Sequence, residues 1–119
     1  MPFDPLSFFA LAKELGDHSS RDECKLRTAV GRAYYSVFLV ARKKTGILDD
    51  TDVHSKVITK LRTRPGFRAT ADQLGSLRRL RTVADYEMEP RVITDRDWAK
   101  NWVRANTLVP SILKYLNAW

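Results

Sequence analysis

The chain has 119 residues, 44% of them hydrophobic and 29% charged, which suits one domain with its own core and is too little for two. No uninterrupted apolar run exceeds five residues, so the sequence predicts no membrane-spanning segment. The N-terminal residues lack the basic and then apolar order of a secretory signal. The single cysteine, Cys24, excludes an intrachain disulfide. We therefore expect a cytoplasmic protein with one domain over residues 1–119.

The net charge is the first indication of function. Lys and Arg outnumber Asp and Glu by 21 to 14, which gives a formal charge of +7 and a pI near 9.9. Such an excess favours anionic partners such as nucleic acid or nucleotide phosphates, although it also occurs in basic proteins that are merely soluble. The middle of the chain is rich in arginine, whose planar guanidinium suits phosphate. The arginines of this region are Arg62, Arg64, Arg68, Arg78, Arg79 and Arg81.

Capping residues and helical spacing predict two helices in the first part of the chain. The pair Asp4–Pro5 is typical of a helix start, and Gly16 of its end. Ser20–Glu23 is a capping box that opens a second helix, which runs to about Lys44 and ends before Gly46. The residues expected to face inward are Leu6, Phe9 and Leu15 in the first helix and Leu26, Val30, Ala33, Val37 and Val40 in the second.

Three more helices are predicted in the rest of the chain. The third covers about residues 52–62 and is stopped by Pro65–Gly66. The capping box Thr70–Gln73 opens the fourth, Pro90 ends it, and Thr94 caps the fifth. Their expected inward residues are Val53, Val57 and Leu61, then Leu74, Leu77, Leu80, Ala84 and Met88, then Trp98, Trp102, Ala105, Val109 and Leu113. No alternating stretch predicts a strand, so we predict an all-α bundle of about five helices.

The second helix is apolar nearly all round in its middle. From Ala33 to Ala41 the only clearly polar side chain is Ser36, and Tyr35 and Leu39 lie off the apolar stripe. A surface helix needs only one apolar face. Either neighbouring helices wrap this one, or its second face contacts another subunit. Complete wrapping is harder to achieve in so short a chain, so we expect a dimer contact.

The fourth helix carries a charge within its apolar sector. Arg81 lies between Leu77 and Ala84 on the face expected to be buried. A charge there needs a partner, and Asp85 is one turn away. One interpretation is an internal clamp between Arg81 and Asp85. The other is that Arg81 faces a cleft and binds phosphate.

Two segments of the chain resemble a known family. Residues 31–38 contain Arg-Ala-Tyr-Tyr-x-x-Phe, and residues 77–87 contain Leu-Arg-x-x-Arg-x-x-Ala-Asp-Tyr. These resemble motifs of HEPN domains, which are small, mostly prokaryotic helical proteins. The position of His54 and the sequence after Asp97 are also similar to that family's middle and final helices. The likeness covers nearly the whole chain.

The resemblance implies an antiparallel bundle that forms a homodimer through the second and fourth helices, with a link to RNA or nucleotides. Many members of the family are metal-independent ribonucleases, often toxins encoded beside a minimal nucleotidyltransferase. By position in the motif, Arg81 takes the place of the family's arginine and Thr82 that of its polar residue. Tyr86 stands where the family has histidine. Tyrosine, with a pKa of about 10, is a poorer base than histidine but donates hydrogen bonds and stacks on bases.

Three functions remain open on this basis. The first is a module that binds RNA or nucleotide phosphates, acting with a nucleotidyltransferase partner. The second is a ribonuclease that uses Arg81 with Tyr86 or with a residue from elsewhere, and the third is an adaptor in which Asp85 belongs to a structural polar network. The sequence predicts neither a metal site nor a cofactor. The candidate phosphate-binding residues are Arg32, Arg78, Arg79, Arg81 and Thr82.

Overall fold

The computed structural model, which describes residues 3–89 and 93–119, is built from helices. They are α1 (Leu6–Asp17), α2 (Glu23–Thr45), α3 (Val53–Thr63), α4 (Arg68–Tyr86) and α5 (Trp98–Leu116), with a short 3-10 helix over Ile93–Arg96. No strand occurs in the described residues, so the predicted all-α bundle of five helices is confirmed. Within the same ranges, no helix is both long enough and apolar enough to span a bilayer.

Helix α2 lies at the centre of the bundle and contacts each of the other four helices. From Ala29 to Ala41 none of its residues is exposed. The small residues Gly31 and Ala33 allow neighbouring helices to come close. The neighbours within one chain therefore cover most of this helix, whereas Tyr35 and Leu39, which lie off the apolar stripe, remain partly exposed. The homodimer through α2 and α4 stays a prediction, without support from this argument.

One hydrophobic core draws buried side chains from all five helices. Tyr34 and Val37 of α2, Leu61 of α3, Leu77 of α4 and Ile112 of α5 are all inaccessible to solvent. Burying each large apolar side chain contributes roughly 1.5–3 kcal/mol, so this shared core is the main source of stability. The inward residues predicted correctly are Leu26, Val30, Ala33, Val37, Val57, Leu61, Leu74, Leu77, Leu80, Ala84, Trp98, Trp102, Ala105 and Val109.

Two residues that were expected inside are on the surface. Leu6 is 43% exposed and Met88 is 91% exposed. Met88 follows the end of α4 at Tyr86, so helical spacing no longer fixes its direction. Leu6 opens α1, where the first turn extends past its neighbours. The remaining expected residues are partly buried against the core: Phe9, Leu15, Val40, Val53 and Leu113.

The predicted start of α2 is shifted by the backbone that precedes it. Ser20 and Arg21 have φ values of 50° and 65°, a left-handed conformation that a helix cannot continue. The helix therefore begins after Asp22, whose side chain accepts a hydrogen bond from the Lys25 amide at 3.1 Å. The capping box at Ser20 is wrong, although a helix does begin within a few residues of it.

The predicted start of α4 is also displaced. The helix begins at Arg68, and Thr70 is a buried residue of its first turn rather than its cap. The carbonyl of Phe67 already accepts the amide of residue 71 at 2.9 Å. The side chain of Phe67 is buried, which anchors this end of the helix. Pro90, the predicted end, lies outside the described residues, and α4 ends earlier, at Tyr86.

The fifth helix begins at Trp98 and is capped by Asp97 rather than by Thr94. The Asp97 side chain accepts a hydrogen bond from the Lys100 amide at 3.1 Å. Residues 93–96 form the 3-10 helix instead of joining α5. Within that turn, the carboxylate of Asp95 is held by Arg79 of α4, which fixes the connection to the bundle.

Helices α1 and α5 approach each other closely at Gly16. A Cβ atom added to Gly16 would lie 2.1 Å from Cε2 of Trp102. The indole N–H of Trp102 donates a hydrogen bond to Asp17 at 3.1 Å, so the ring has little freedom to move. Glycine is required here for its small size, because φ at this position is not in the left-handed region.

We expect Gly16→Ala to lower the free energy of unfolding by about 1–3 kcal/mol, the usual cost of forcing extra volume into a close contact. The matched control is Gly75→Ala in α4, where an added Cβ meets nothing within 4 Å. That change should raise stability by about 0.5–1 kcal/mol, because alanine is the better helix former. Urea unfolding followed by circular dichroism measures both. Equal effects of the two substitutions would contradict the close approach.

Candidate functional site

The most distinctive charged group in the molecule is the guanidinium of Arg81 on α4. Its side chain is only 15% exposed. Nε lies 2.8 Å from a carboxylate oxygen of Asp85, one turn further along the helix. Nη2 donates a hydrogen bond of 2.7 Å to the hydroxyl of Tyr35 on α2. The clamp between Arg81 and Asp85 therefore forms, and its link to Tyr35 joins α4 to α2.

Two tyrosine rings also contact this guanidinium. Cζ of Arg81 lies 5.1 Å from the ring centre of Tyr35 and 5.5 Å from that of Tyr86. Arg81 and Tyr86 are five positions apart, so on a straight helix their directions differ by about 140°. The two side chains meet because the arginine side chain is long. Tyr86 is 69% exposed. Its ring is therefore accessible to a ligand while it remains in contact with Arg81.

Arg81 also lines an open pocket of about 390 Å³ between α2 and α4. The other lining residues include Arg32, Tyr35 and Asp85. Gly31 of α2 is part of the same wall, and a Cβ there would lie 3.4 Å from Asp85, so α2 runs close to the carboxylate. Clamp and cleft, which the sequence presented as alternatives, thus occur together. Asp85 holds Arg81 on the wall of a pocket that solvent can enter.

A cluster of aromatic rings around His54 lies next to Tyr35. The hydroxyl of Tyr34 and Nδ1 of His54 are 2.6 Å apart. The His54 ring stacks on Phe38 with 4.2 Å between centres and meets the Tyr35 ring edge-on at 6.3 Å. No pattern in the sequence predicts that this histidine contacts Tyr35. His54 packs against aromatic rings. One of them belongs to Tyr35, whose hydroxyl accepts the hydrogen bond from Arg81.

The surroundings of His54 and Tyr34 keep both side chains neutral. Burial lowers the pKa of His54, and the positive charges of Arg78, Arg81 and Arg42 lower it further. Burial also raises the pKa of Tyr34 well above its ordinary value. A neutral imidazole has a lone pair available to accept a proton. His54 is thus the one histidine of the chain that lies beside the candidate site.

The other predicted phosphate-binding residues lie in different places. Arg78 donates a hydrogen bond of 3.2 Å to Ser55 on α3, beside His54. The hydroxyl of Thr82 is exposed and donates to the carbonyl of Arg78 at 3.0 Å. Arg79 forms two hydrogen bonds with Asp95, at 2.7 and 3.2 Å, and so fixes the 3-10 turn. Arg32 and Arg81 share the pocket, Arg78 and Thr82 lie on an adjacent side of α4, and Arg79 belongs to a separate ion pair.

Tyr35 and His54 are the site residues that the sequence did not single out. Tyr35 lay within a recognised motif and off the apolar stripe of its helix, which was the available signal. His54 lies 27 positions before Arg81, and only tertiary packing brings both side chains into contact with Tyr35. Within the described residues, no group of three His, Cys, Asp or Glu side chains is arranged to hold a metal ion.

No protein-family model, no curated protein and no solved structure matches the chain.

The neutral state of His54 predicts a loss of stability in acid. The unfolded chain binds a proton near the ordinary histidine pKa of 6.5, whereas the folded chain does so only at lower pH. The contribution of neutral His54 to the free energy of unfolding is therefore complete above the pKa of the unfolded state. It is lost as the pH falls through the lower pKa of the folded state. Urea midpoints measured from neutral pH downward should decrease, and His54→Gln should flatten that decrease. His18→Gln, which removes the other histidine, is the control and should retain it.

Proposed function

We propose that this chain is a HEPN-like module that binds RNA or nucleotide phosphates in the pocket lined by Arg81. The observation that carries the proposal is a guanidinium with 15% side-chain exposure, fixed by Asp85 and Tyr35 on the wall of an open pocket. A preorganised arginine loses little side-chain freedom when it binds an anion. Its Nη1 makes no hydrogen bond to the described residues, which leaves a donor for a phosphate oxygen.

Neighbouring groups fit the rest of a nucleotide. Arg32 lines the same pocket and supplies a second positive charge. The exposed ring of Tyr86 offers a flat surface on which a base can stack. The chain as a whole carries a charge of +7, which attracts polyanions from a distance.

The proposed family also suggests partners. The motif of residues 77–87 lies on α4, where Arg81 contacts Tyr86 as a shared site requires. Tyr86 and Met88 expose apolar surface at the end of that helix. We include in the proposal a homodimer through α2 and α4, a minimal nucleotidyltransferase as partner and a cytoplasmic location. The apolar surface beside Tyr86 supports a protein contact near the pocket.

The affinity for single-stranded RNA should fall steeply with salt, because phosphate contacts release counterions. Fluorescence anisotropy with a labelled RNA measures this between about 50 and 200 mM salt. Arg81→Ala should weaken binding about tenfold or more, as expected for the loss of a charge-assisted hydrogen bond. Arg104→Ala, which removes an exposed arginine of α5, is the matched control and should have little effect.

Arg81→Ala also removes the partner of Asp85, so its stability must be measured alongside. Since Asp85 is about one-third exposed, we expect a loss of about 1–3 kcal/mol rather than the larger cost of a fully buried pair. Arg32→Ala disturbs no ion pair of the described residues and tests the same pocket independently. Binding that is independent of salt, or unaffected by both substitutions, would refute the proposal. If the parent protein binds no RNA and Arg81→Ala causes a large loss of stability, the result would favour the adaptor function.

A metal-independent ribonuclease is the second candidate, and it is favoured by the contact of Arg81 with Tyr86, which stands at the histidine position of the motif. Cleavage by the RNA's own 2′-hydroxyl needs a proton acceptor, a proton donor and stabilisation of charge on the phosphate. Arg81 is suited to the last role. The neutral imidazole of His54, beside Tyr35, and the phenol of Tyr86, beside Arg81, are the candidates for proton transfer.

This candidate predicts cleavage of end-labelled RNA in the presence of EDTA. Arg81→Ala should abolish the cleavage, and Arg104→Ala should leave it unchanged. Tyr86→Phe and His54→Gln distinguish the two proton-transfer candidates, because only the substitution of the participating group should reduce the rate. Intact RNA with the parent protein would reject this candidate and leave the binding module.

A further inference from the structure

The pocket at Arg81 is one end of a longer groove. Four overlapping depressions follow one side of α2, with volumes of about 390, 410, 340 and 660 Å³. The first shares Thr28 and Asp85 with the second, the second shares Arg27 with the third, and the third shares Trp98 with the fourth. We call this continuous surface, from Arg81 to Trp98, the α2 groove.

The length of the α2 groove exceeds that of one nucleotide. Along α2 it extends from Tyr35 back to Glu23. At 1.5 Å per residue, this span is roughly 18 Å. Successive nucleotides of a stacked strand are about 3.4 Å apart, so the groove has room for about five of them. A mononucleotide would fill only one of its four depressions.

Basic side chains line the whole groove, and three of them pair with its carboxylates: Arg27 with Glu23, Arg81 with Asp85 and Lys100 with Asp97. The basic lining residues are Arg21, Arg27, Arg32, Arg81, Arg96 and Lys100. The acidic ones are Glu23, Asp85, Glu89 and Asp97. Arg21 at one end and Arg32 at the other form no ion pair within the described residues, so both remain available to phosphates. Basic side chains at both ends suit a ligand with several phosphates.

Arg27 fixes the middle of the groove. Its guanidinium lies 4.6 Å from the ring centre of Trp98 and donates a hydrogen bond of 2.6 Å to the carbonyl of Glu87. The same nitrogen, Nη1, also lies 3.4 Å from the carbonyl oxygen of Ala84. These contacts tie α2 to the end of α4 and to the start of α5. The floor of the groove is therefore a preorganised surface, as a binding site for an extended strand requires.

From this arrangement we infer that the α2 groove binds a single-stranded RNA segment of about five nucleotides, with one phosphate at Arg81. The inference rests on the proposed function and extends it by naming the form of the ligand. The segment enters near Arg32, passes Arg27 and ends near Arg21 and Lys100.

The test is a series of RNA oligonucleotides of increasing length, from a dinucleotide to lengths beyond the groove, measured by calorimetry. Affinity should rise with length up to about five nucleotides and then level off. The double variant Arg21→Ala and Lys100→Ala, at the end far from Arg81, should weaken the longer oligonucleotides about tenfold. It should leave the affinity of the dinucleotide unchanged. Arg104→Ala with Lys114→Ala removes two exposed charges elsewhere on α5 and is the matched control.

The outcomes of these measurements distinguish a failure of this inference from a failure of the proposed function. If a dinucleotide binds as tightly as longer RNA, or if the far-end variant has no effect on longer RNA, the α2 groove is not the site and only the Arg81 pocket is used. Equal affinity for a duplex of the same length would also overturn the inference. If no RNA of any length binds, the proposed function fails together with it.

Discussion

The enclosure of α2 is the constraint on which the rest of the structure depends. A helix with apolar residues on nearly every side must be covered over most of its surface, and four neighbours do this within one chain. Close packing requires small residues at the contacts: Gly31 on α2 lies beside Asp85, and Gly16 allows α1 to approach Trp102 of α5. Gly31 brings the α2 backbone up to Asp85, so the same packing that builds the core also forms one wall of the Arg81 pocket.

The Arg81 cluster shows how a structural ion pair also serves as a binding device. Asp85 and Tyr35 compensate for the burial of the guanidinium and at the same time fix its direction. A free arginine side chain would lose considerable rotational freedom on binding a phosphate, whereas this one has already lost it during folding. The ion pair of Arg81 with Asp85 and the pocket are thus parts of one arrangement. Further along the groove, contact with Trp98 likewise holds the guanidinium of Arg27.

The sequence predicted the helices and their buried faces better than their starts. Helical spacing identified Leu74, Leu77 and Leu80 as core residues because burial on one helix face is a local, periodic property. The left-handed conformation of Ser20 is not periodic, so the capping box there was misleading. Motif and spacing singled out Arg81 and Asp85, which are one turn apart. The contact of Arg81 with Tyr35 spans 46 positions and that of His54 with Tyr34 spans 20, and no local pattern encodes either.

The contact between α1 and α5 has a consequence for the order of events during synthesis. Trp102 donates to Asp17 across 85 positions of the chain, and α5 supplies one of the walls around α2. Domains fold as units, and long-range contacts form only after both partners have left the ribosome. Until α5 emerges, one side of α2 has no cover in its own chain. The nascent protein therefore exposes apolar surface of α2 until its last helix is available to cover it.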